Sequence, residues 1–220
     1  MLFDPHVFWS SLPFLLQGTW TTIVVVCASM AVGIIIGVLL CAGMVLGSGL
    51  IRVLSFAYVS LFRTLPETVL VFWIFYCIPL VASGRPTAFQ SAVAALAIPA
   101  AANFAEIFRA GVIAVPRGHV EAAHAMGLSR IWVFLDVVAP QASRIIVPPF
   151  FGAVTILIKN SALVSIIGVQ ELFYHATVSA NQNYHYIEIM TGAALIYFML
   201  ILPLSMLVQW QEQRLLVRNR

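Results

Sequence analysis

Residues 121–127 read Glu-Ala-Ala-His-Ala-Met-Gly, and after nine further residues positions 137–140 read Val-Val-Ala-Pro. This stretch lies in the one long, charge-bearing connector of a chain that is otherwise made of apolar runs. The alanines favour a short helix with a thin profile, Gly127 favours the left-handed conformation that ends a helix, and Ser129 is a suitable N-cap for the helix that follows. The pattern therefore predicts a small helical knob beside the membrane that can enter a groove of another protein.

The composition on either side of this stretch is that of an integral membrane protein. Of the 220 residues, 62% are hydrophobic and 9% are charged, whereas soluble domains carry about 25% charged residues. The three cysteines have the spacing of neither a disulfide framework nor a metal site, so we expect no metal. The sequence lacks a run of four to eight basic residues, and we expect no nucleic-acid partner.

Several apolar runs are long enough to cross a bilayer, for which a helix needs about 20 residues. They predict an all-α, polytopic bundle with five transmembrane helices, forming one domain over residues 1–220. The spans are predicted at about 19–44, 53–81 (interrupted at Pro66), 89–112, 145–169 and 187–208, with the cytoplasmic connector at 113–144. Residues 5–17 predict a separate short helix in the membrane interface, and the spacing of Gly33 and Gly37 allows close helix contact.

The distribution of arginines predicts the orientation of the chain, because cytoplasmic loops are enriched in basic residues. With five spans, the side that holds the 113–144 connector and the C-terminus contains eight arginines, and the opposite side contains Arg85 alone. The eight are Arg52, Arg109, Arg117, Arg130, Arg144, Arg214, Arg218 and Arg220. We therefore expect the N-terminus and the segment 173–186 outside, and the knob and the C-terminus in the cytoplasm.

The motif at 121–140 resembles the cytoplasmic loop, known as the EAA motif, of permease subunits of ABC importers. Glu121, Gly127 and Pro140 stand at the matching positions, while Val137 and Ala139 replace the more usual Ile and Leu. Further stretches along most of the chain resemble the branch that imports polar amino acids such as histidine, arginine, glutamine and glutamate, and opines. They are LQGT at 16–19, FRTLP at 62–66, AEIFR at 105–109, VPRG at 115–118, PQASR at 140–144 and KNSAL at 159–163.

This resemblance implies a type I importer permease core and a transport subunit that is not itself an enzyme. The connector would be the coupling helix that docks on a dimer of ATP-binding subunits. The residues that match the coupling surface are Glu121, Ala122, Ala123, Met126 and Gly127. The other implied partners are an extracytoplasmic solute-binding protein and a second permease, either a copy or a related chain, in the lipid of a bacterial inner membrane. The chain has no Gly-x-x-x-x-Gly-Lys-Ser/Thr loop, so we expect no cofactor here and ATP with magnesium on the partner.

Charged residues inside spans are functional candidates because charge is costly at membrane depth. Arg63 and Glu67 are four residues apart, and on one helix they would neutralise each other. Alternatively, Glu67 selects the solute, since relatives more often have an apolar residue there. Glu106 and Arg109 match a motif of the whole family, which favours a role in the gate or in subunit packing.

Near the outer end of the fourth span, Lys159 either meets a solute carboxylate or extends towards the interface. Asn160 stands where the family usually has Asp, which removes a negative charge and weakens the expectation of a cationic solute. Ser161 and Ser165 are spaced to share one helical face. His175 and His185 are weak metal-ligand candidates.

Two other classes of function are alternatives. An intramembrane enzyme would need a motif such as His-Glu-x-x-His or Gly-x-Ser-x-Gly, and the sequence has neither. A stand-alone channel or secondary carrier for small polar solutes is the stronger alternative to an ATP-driven permease. The sequence does not identify the solute.

Overall fold

The computed structural model describes residues 3–81 and 86–218, so Arg85 and Arg220, which entered the orientation argument, lie outside the described part. Within it the chain is helical and contains no strand. The helices are α1 (Pro5–Val45), α2 (Gly49–Thr64), α3 (Glu67–Val81), α4 (Ala88–Ile113), α5 (Arg117–Ala125), α6 (Arg130–Ile167), α7 (Leu172–Asn183) and α8 (Tyr186–Arg218). The predicted all-α fold is confirmed.

In the described residues, four helices are long and apolar enough to cross a membrane, namely α1, α4, α6 and α8. The fifth span is the pair α2 and α3, which meet at an angle of 104°. The bend follows from Leu65 and Pro66, both of which have extended backbone, since the residue before a proline avoids the helical conformation. The predicted second span is therefore two helices at a sharp angle.

Helix α1 overturns the prediction of a separate interfacial helix. It continues without a break from Pro5 through the first span, and its 41 residues extend over about 60 Å. That length exceeds the hydrocarbon core of about 30 Å, so part of α1 projects beyond the membrane. Gly18, at the expected boundary, is buried where α1 meets the backbone of Glu171.

The helix that contains the predicted fourth span, 145–169, begins well before residue 145. Helix α6 begins at Arg130, passes through a π-helical stretch at Val133–Val138 and ends in a 3₁₀ turn at Ser161–Ile167. Pro148 and Pro149 lie inside it. The apolar pattern starts late because the first turns of α6 are below the span, but their backbone bonding is continuous with it.

The segment 173–186, expected as an outer loop, is largely the helix α7, which packs on α1 and α8. His175 is buried there, with its ring 4.4 Å from the ring of Phe14. In the described residues no group of His, Cys, Asp and Glu is arranged to hold a metal ion.

The core of the bundle is the contact between α1 and α4. Gly33 and Gly37 of α1 lie against the Phe104 ring, the Phe104 Cβ and the Ala101 carbonyl of α4, and a Cβ at Gly37 would be 3.0 Å from the Phe104 Cβ. Phe104 is fully buried. The close contact expected from the glycine spacing is thus present, and it fixes the scaffold from which the knob and the polar residues project.

Candidate functional site

Helix α5 is largely exposed, and Ala123 is its one fully buried residue. Ala123 is 1% exposed, while Glu121, Ala122 and His124 are exposed and Met126 is 74% exposed. The Ala123 side chain packs into an apolar cluster with residues that precede α5 and residues of α6. The cluster contains Val115, Ala123, Val133, Val138 and Ala142. The cluster therefore connects α5 directly to the base of the membrane-crossing helix α6.

Gly127 ends α5 in the way the sequence predicts. Its φ angle is +82°, a left-handed conformation that costs a side-chain-bearing residue about 1–2 kcal/mol. The Leu128 N–H donates to the Ala123 carbonyl (3.2 Å), and the Gly127 N–H donates to the His124 carbonyl (3.0 Å), which is the Schellman pattern. Ser129 is the N-cap of α6, although its hydroxyl makes no capping bond.

A side-chain link adds a second connection between α5 and α6. His119 Nδ1 donates to Gln141 Oε1 (2.9 Å), and Gln141 Nε2 donates to the Val137 carbonyl (2.8 Å) in the π-helical stretch. The link ties the first turns of α5 to the stretch of α6 beneath the span.

The predicted pair of Arg63 and Glu67 is wrong. The two residues belong to different helices, one on each side of the 104° bend, so they do not occupy successive turns of one helix. Glu67 instead accepts a hydrogen bond from the Asn160 Nδ2 of α6. Arg63 is exposed and lies close enough to act electrostatically on Glu106.

Glu106 and Arg109 form a two-bond ion pair within α4. Arg109 Nε donates to Glu106 Oε2 (3.0 Å) and Arg109 Nη2 donates to Oε1 (2.5 Å). The guanidinium also lies over the Phe56 ring of α2, 5.8 Å from its centroid. Each charge has its partner, and the pair helps to hold α2 against α4.

The residues around Asn160 point in different directions. Lys159 is exposed, whereas Ser161 is fully buried and its hydroxyl donates to the Ile158 carbonyl (2.7 Å). The stretch from Ser161 is a 3₁₀ helix, in which residues three apart share a face. The expectation that Ser161 and Ser165 line one α-helical face is therefore wrong.

Sequence reasoning missed Glu171, which is fully buried. Its carboxylate accepts hydrogen bonds from the Phe173 N–H (2.9 Å), the Tyr174 N–H (2.7 Å) and the Tyr197 hydroxyl (2.8 Å), and a longer one from the Thr22 hydroxyl (3.5 Å). Burial raises the pKa of this carboxyl, and the donated hydrogen bonds oppose the rise. The signal available in the sequence was an acidic residue between apolar stretches.

Comparisons with known proteins agree on one kind of molecule. The model of the family described as "Binding-protein-dependent transport system inner membrane component" matches residues 29–217. The glutamine transport system permease protein GlnP of Escherichia coli (strain K12) is 30% identical, over 98% of this chain and 99% of that protein. The arginine transport system permease protein ArtQ of Bacillus subtilis (strain 168) is 30% identical, over 93% of both chains. A chain from the crystal structure of an amino acid ABC transporter with histidines has a TM-score of 0.87 and 29% identity, over 97% of this chain and all of that one.

Proposed function

This chain belongs to the family of binding-protein-dependent transport system inner membrane components, and we propose that it is the permease through which an ATP-driven importer moves polar amino acids or related small solutes. The named relatives and the solved transporter all handle amino acids, which supports this class of solute. The observation that carries the proposal is the helix α5, which is exposed to a partner and packed, through Ala123, on a membrane-crossing helix.

In this mechanism, ATP brings the partner ATP-binding subunits together and they displace α5. The surface of Glu121, Ala122 and Met126 is the docking face, Ala123 is the anchor and Gly127 closes the helix. Because α5 and α6 share the apolar cluster around Ala123, α6 moves with α5 and changes the access to the solute pathway. ATP and magnesium act on the partner, and this chain supplies the pathway.

The surface of the bundle supports the remaining partners that we propose. Only 17% of the apolar window of α8 and 28% of that of α1 are buried within the chain, which leaves wide apolar faces for lipid and for a second permease, either a copy or a related chain. The surplus of arginines favours α5 in the cytoplasm and the N-terminus outside, where a solute-binding protein delivers its cargo. No nucleic-acid partner is proposed.

We assign the polar candidates two kinds of role. Glu106 and Arg109, which neutralise each other and hold α2 against α4, serve packing and gating, and Arg63 adds charge beside them. Glu67 and Asn160, which meet between α3 and α6, belong to the solute pathway. The exposed Lys159 is available to a solute carboxylate, while the buried Ser161 supports the end of α6.

A pair of glycine substitutions tests the coupling role. Gly127→Ala forces a side chain into a left-handed conformation, whereas Gly118→Ala in the first turn of α5 meets no atom within 4 Å and has no positive φ. We expect Gly127→Ala to lower ATP-dependent uptake into proteoliposomes that contain the whole transporter, and deletion of residues 121–126 to abolish it. Gly118→Ala should retain uptake. Normal uptake in the deletion variant, with the protein inserted in the membrane, would contradict the mechanism.

A further inference from the structure

Glu67 is a carboxylate that the described chain does not pair with a cation. The ion pairs in the described part of the chain are Arg109 with Glu106 and His185 with Glu188, so neither Arg63 nor the neighbouring Lys159 lies within 4 Å of it. Its partner is the neutral amide of Asn160. A carboxylate within a membrane-crossing element is costly without a counter-charge. Glu67 lies in the first turn of α3, where the positive end of the helix dipole offsets its charge only in part.

The surroundings of this carboxylate are those of a small polar recess in an apolar wall. The recess is bounded by α3, α4 and α6, and the amide of Asn103 joins Glu67 and Asn160 as its polar groups. Its lining includes Leu96, Ala100, Phe104, Ala153, Ile156 and Leu157. Ile156 is 53% exposed, so part of the wall of the recess reaches an open face of the bundle. The open volume is about 10 Å³, room for about one water, so a solute would enter only after α3 and α6 move apart.

The chemistry of the recess selects a positively charged group. The two amides can orient a solute but carry no charge, and the carboxylate accepts hydrogen bonds and gives none. An ammonium or guanidinium would complete it, while a solute carboxylate would meet like charge. Building on the proposed function, we propose that Glu67, oriented by Asn160, is the specificity-determining residue of the pathway and takes the positively charged group of the solute. Solutes with a net negative charge are thereby disfavoured.

The test is equilibrium binding of radiolabelled L-arginine, L-glutamine and L-glutamate to the complete transporter in nanodiscs, without ATP. Wild-type protein should bind arginine and glutamine more tightly than glutamate. Glu67→Gln, which keeps the shape and removes the charge, should weaken binding by about tenfold or more, as expected for a lost charged hydrogen bond. A loss confined to arginine would place the side-chain cation at Glu67, and an equal loss for arginine and glutamine would place the α-ammonium there.

Two further variants separate this role from a structural one. Asp136→Asn removes the same charge from an exposed position of α6 and should bind as wild type does. Adding Asn160→Asp to Glu67→Gln restores a carboxylate on the other side of the same contact and should recover the affinity. Affinities within twofold of wild type for all three probes in Glu67→Gln, or no binding of any probe by the wild type, would overturn the proposal. If the wild type binds the probes but shows no ATP-dependent uptake, that result counts against the proposed function and leaves the binding result standing.

Discussion

Among single residues, Glu171 joins three helices at one end of the bundle. It is the N-cap of α7, through the N–H groups of Phe173 and Tyr174, and it reaches Tyr197 of α8 and Thr22 of α1. Thr22 in turn accepts from the Leu172 N–H (3.0 Å). The sequence marks Glu171 as an unusual acidic residue, but its partners lie 149 and 26 residues away, and no local pattern identifies them.

Removing this carboxylate should destabilise the protein. Glu171→Ala leaves the partly buried donors of Tyr174 and Tyr197 without their acceptor, at a cost of up to about 1–3 kcal/mol for each unsatisfied group. We expect a lower midpoint of thermal unfolding in detergent for Glu171→Ala, a smaller decrease for Glu171→Gln, and no change for the exposed Asp136→Asn. An unchanged midpoint in Glu171→Ala would show that the carboxylate does not hold the three helices together.

At the level of helices, the approach of α1 to the start of α7 depends on one glycine. A Cβ at Gly18 would lie 2.8 Å from the Glu171 carbonyl oxygen and 2.9 Å from the His175 ring, whereas a Cβ at Gly152 of α6 would meet no atom within 4 Å. Backbone atoms do not give way as a flexible side chain does, so the contact between α1 and α7 excludes any larger residue.

Substitution by alanine should therefore have different effects on thermal stability at these two glycines. In a helix interior, Ala is favoured over Gly by about 1 kcal/mol. Gly152→Ala should keep or raise the thermal midpoint, while Gly18→Ala should lower it because α1 and α7 must separate. Equal midpoints for the two variants, measured in the same detergent, would contradict the close contact.

The helices also show what the sequence could and could not predict. Hydropathy and turn residues predicted the spans and the end of α5 at Gly127, because both depend on local preferences. They predicted the helix that follows Ser129 but not that it continues into the fourth span as α6. They also missed the helical character of α7, because polar residues near a membrane surface fit a loop and a helix equally well. Whether Arg63 and Glu67 meet depended on the bend at Pro66, whose angle is set by packing against α4 and α6.

For the whole molecule, the helices α5 and α7 are at different places in the chain, with the membrane-crossing part of α6 between them. In the proposed mechanism they lie on opposite sides of the membrane and contact different partners. Met126, at the C-terminal end of α5, and Tyr184, just after α7, are 74% and 83% exposed. A photo-reactive side chain at either position would therefore reach a partner, and the two positions form a matched pair of sites.

The most direct measurement replaces each of these two residues with a photo-crosslinking phenylalanine derivative in cells that express the whole transporter. Crosslinking at position 126 should capture the ATP-binding subunit, and crosslinking at position 184 should capture extracytoplasmic protein or none. Capture of the ATP-binding subunit at position 184, or its absence at position 126, would contradict the claim that α5 receives the force of ATP binding.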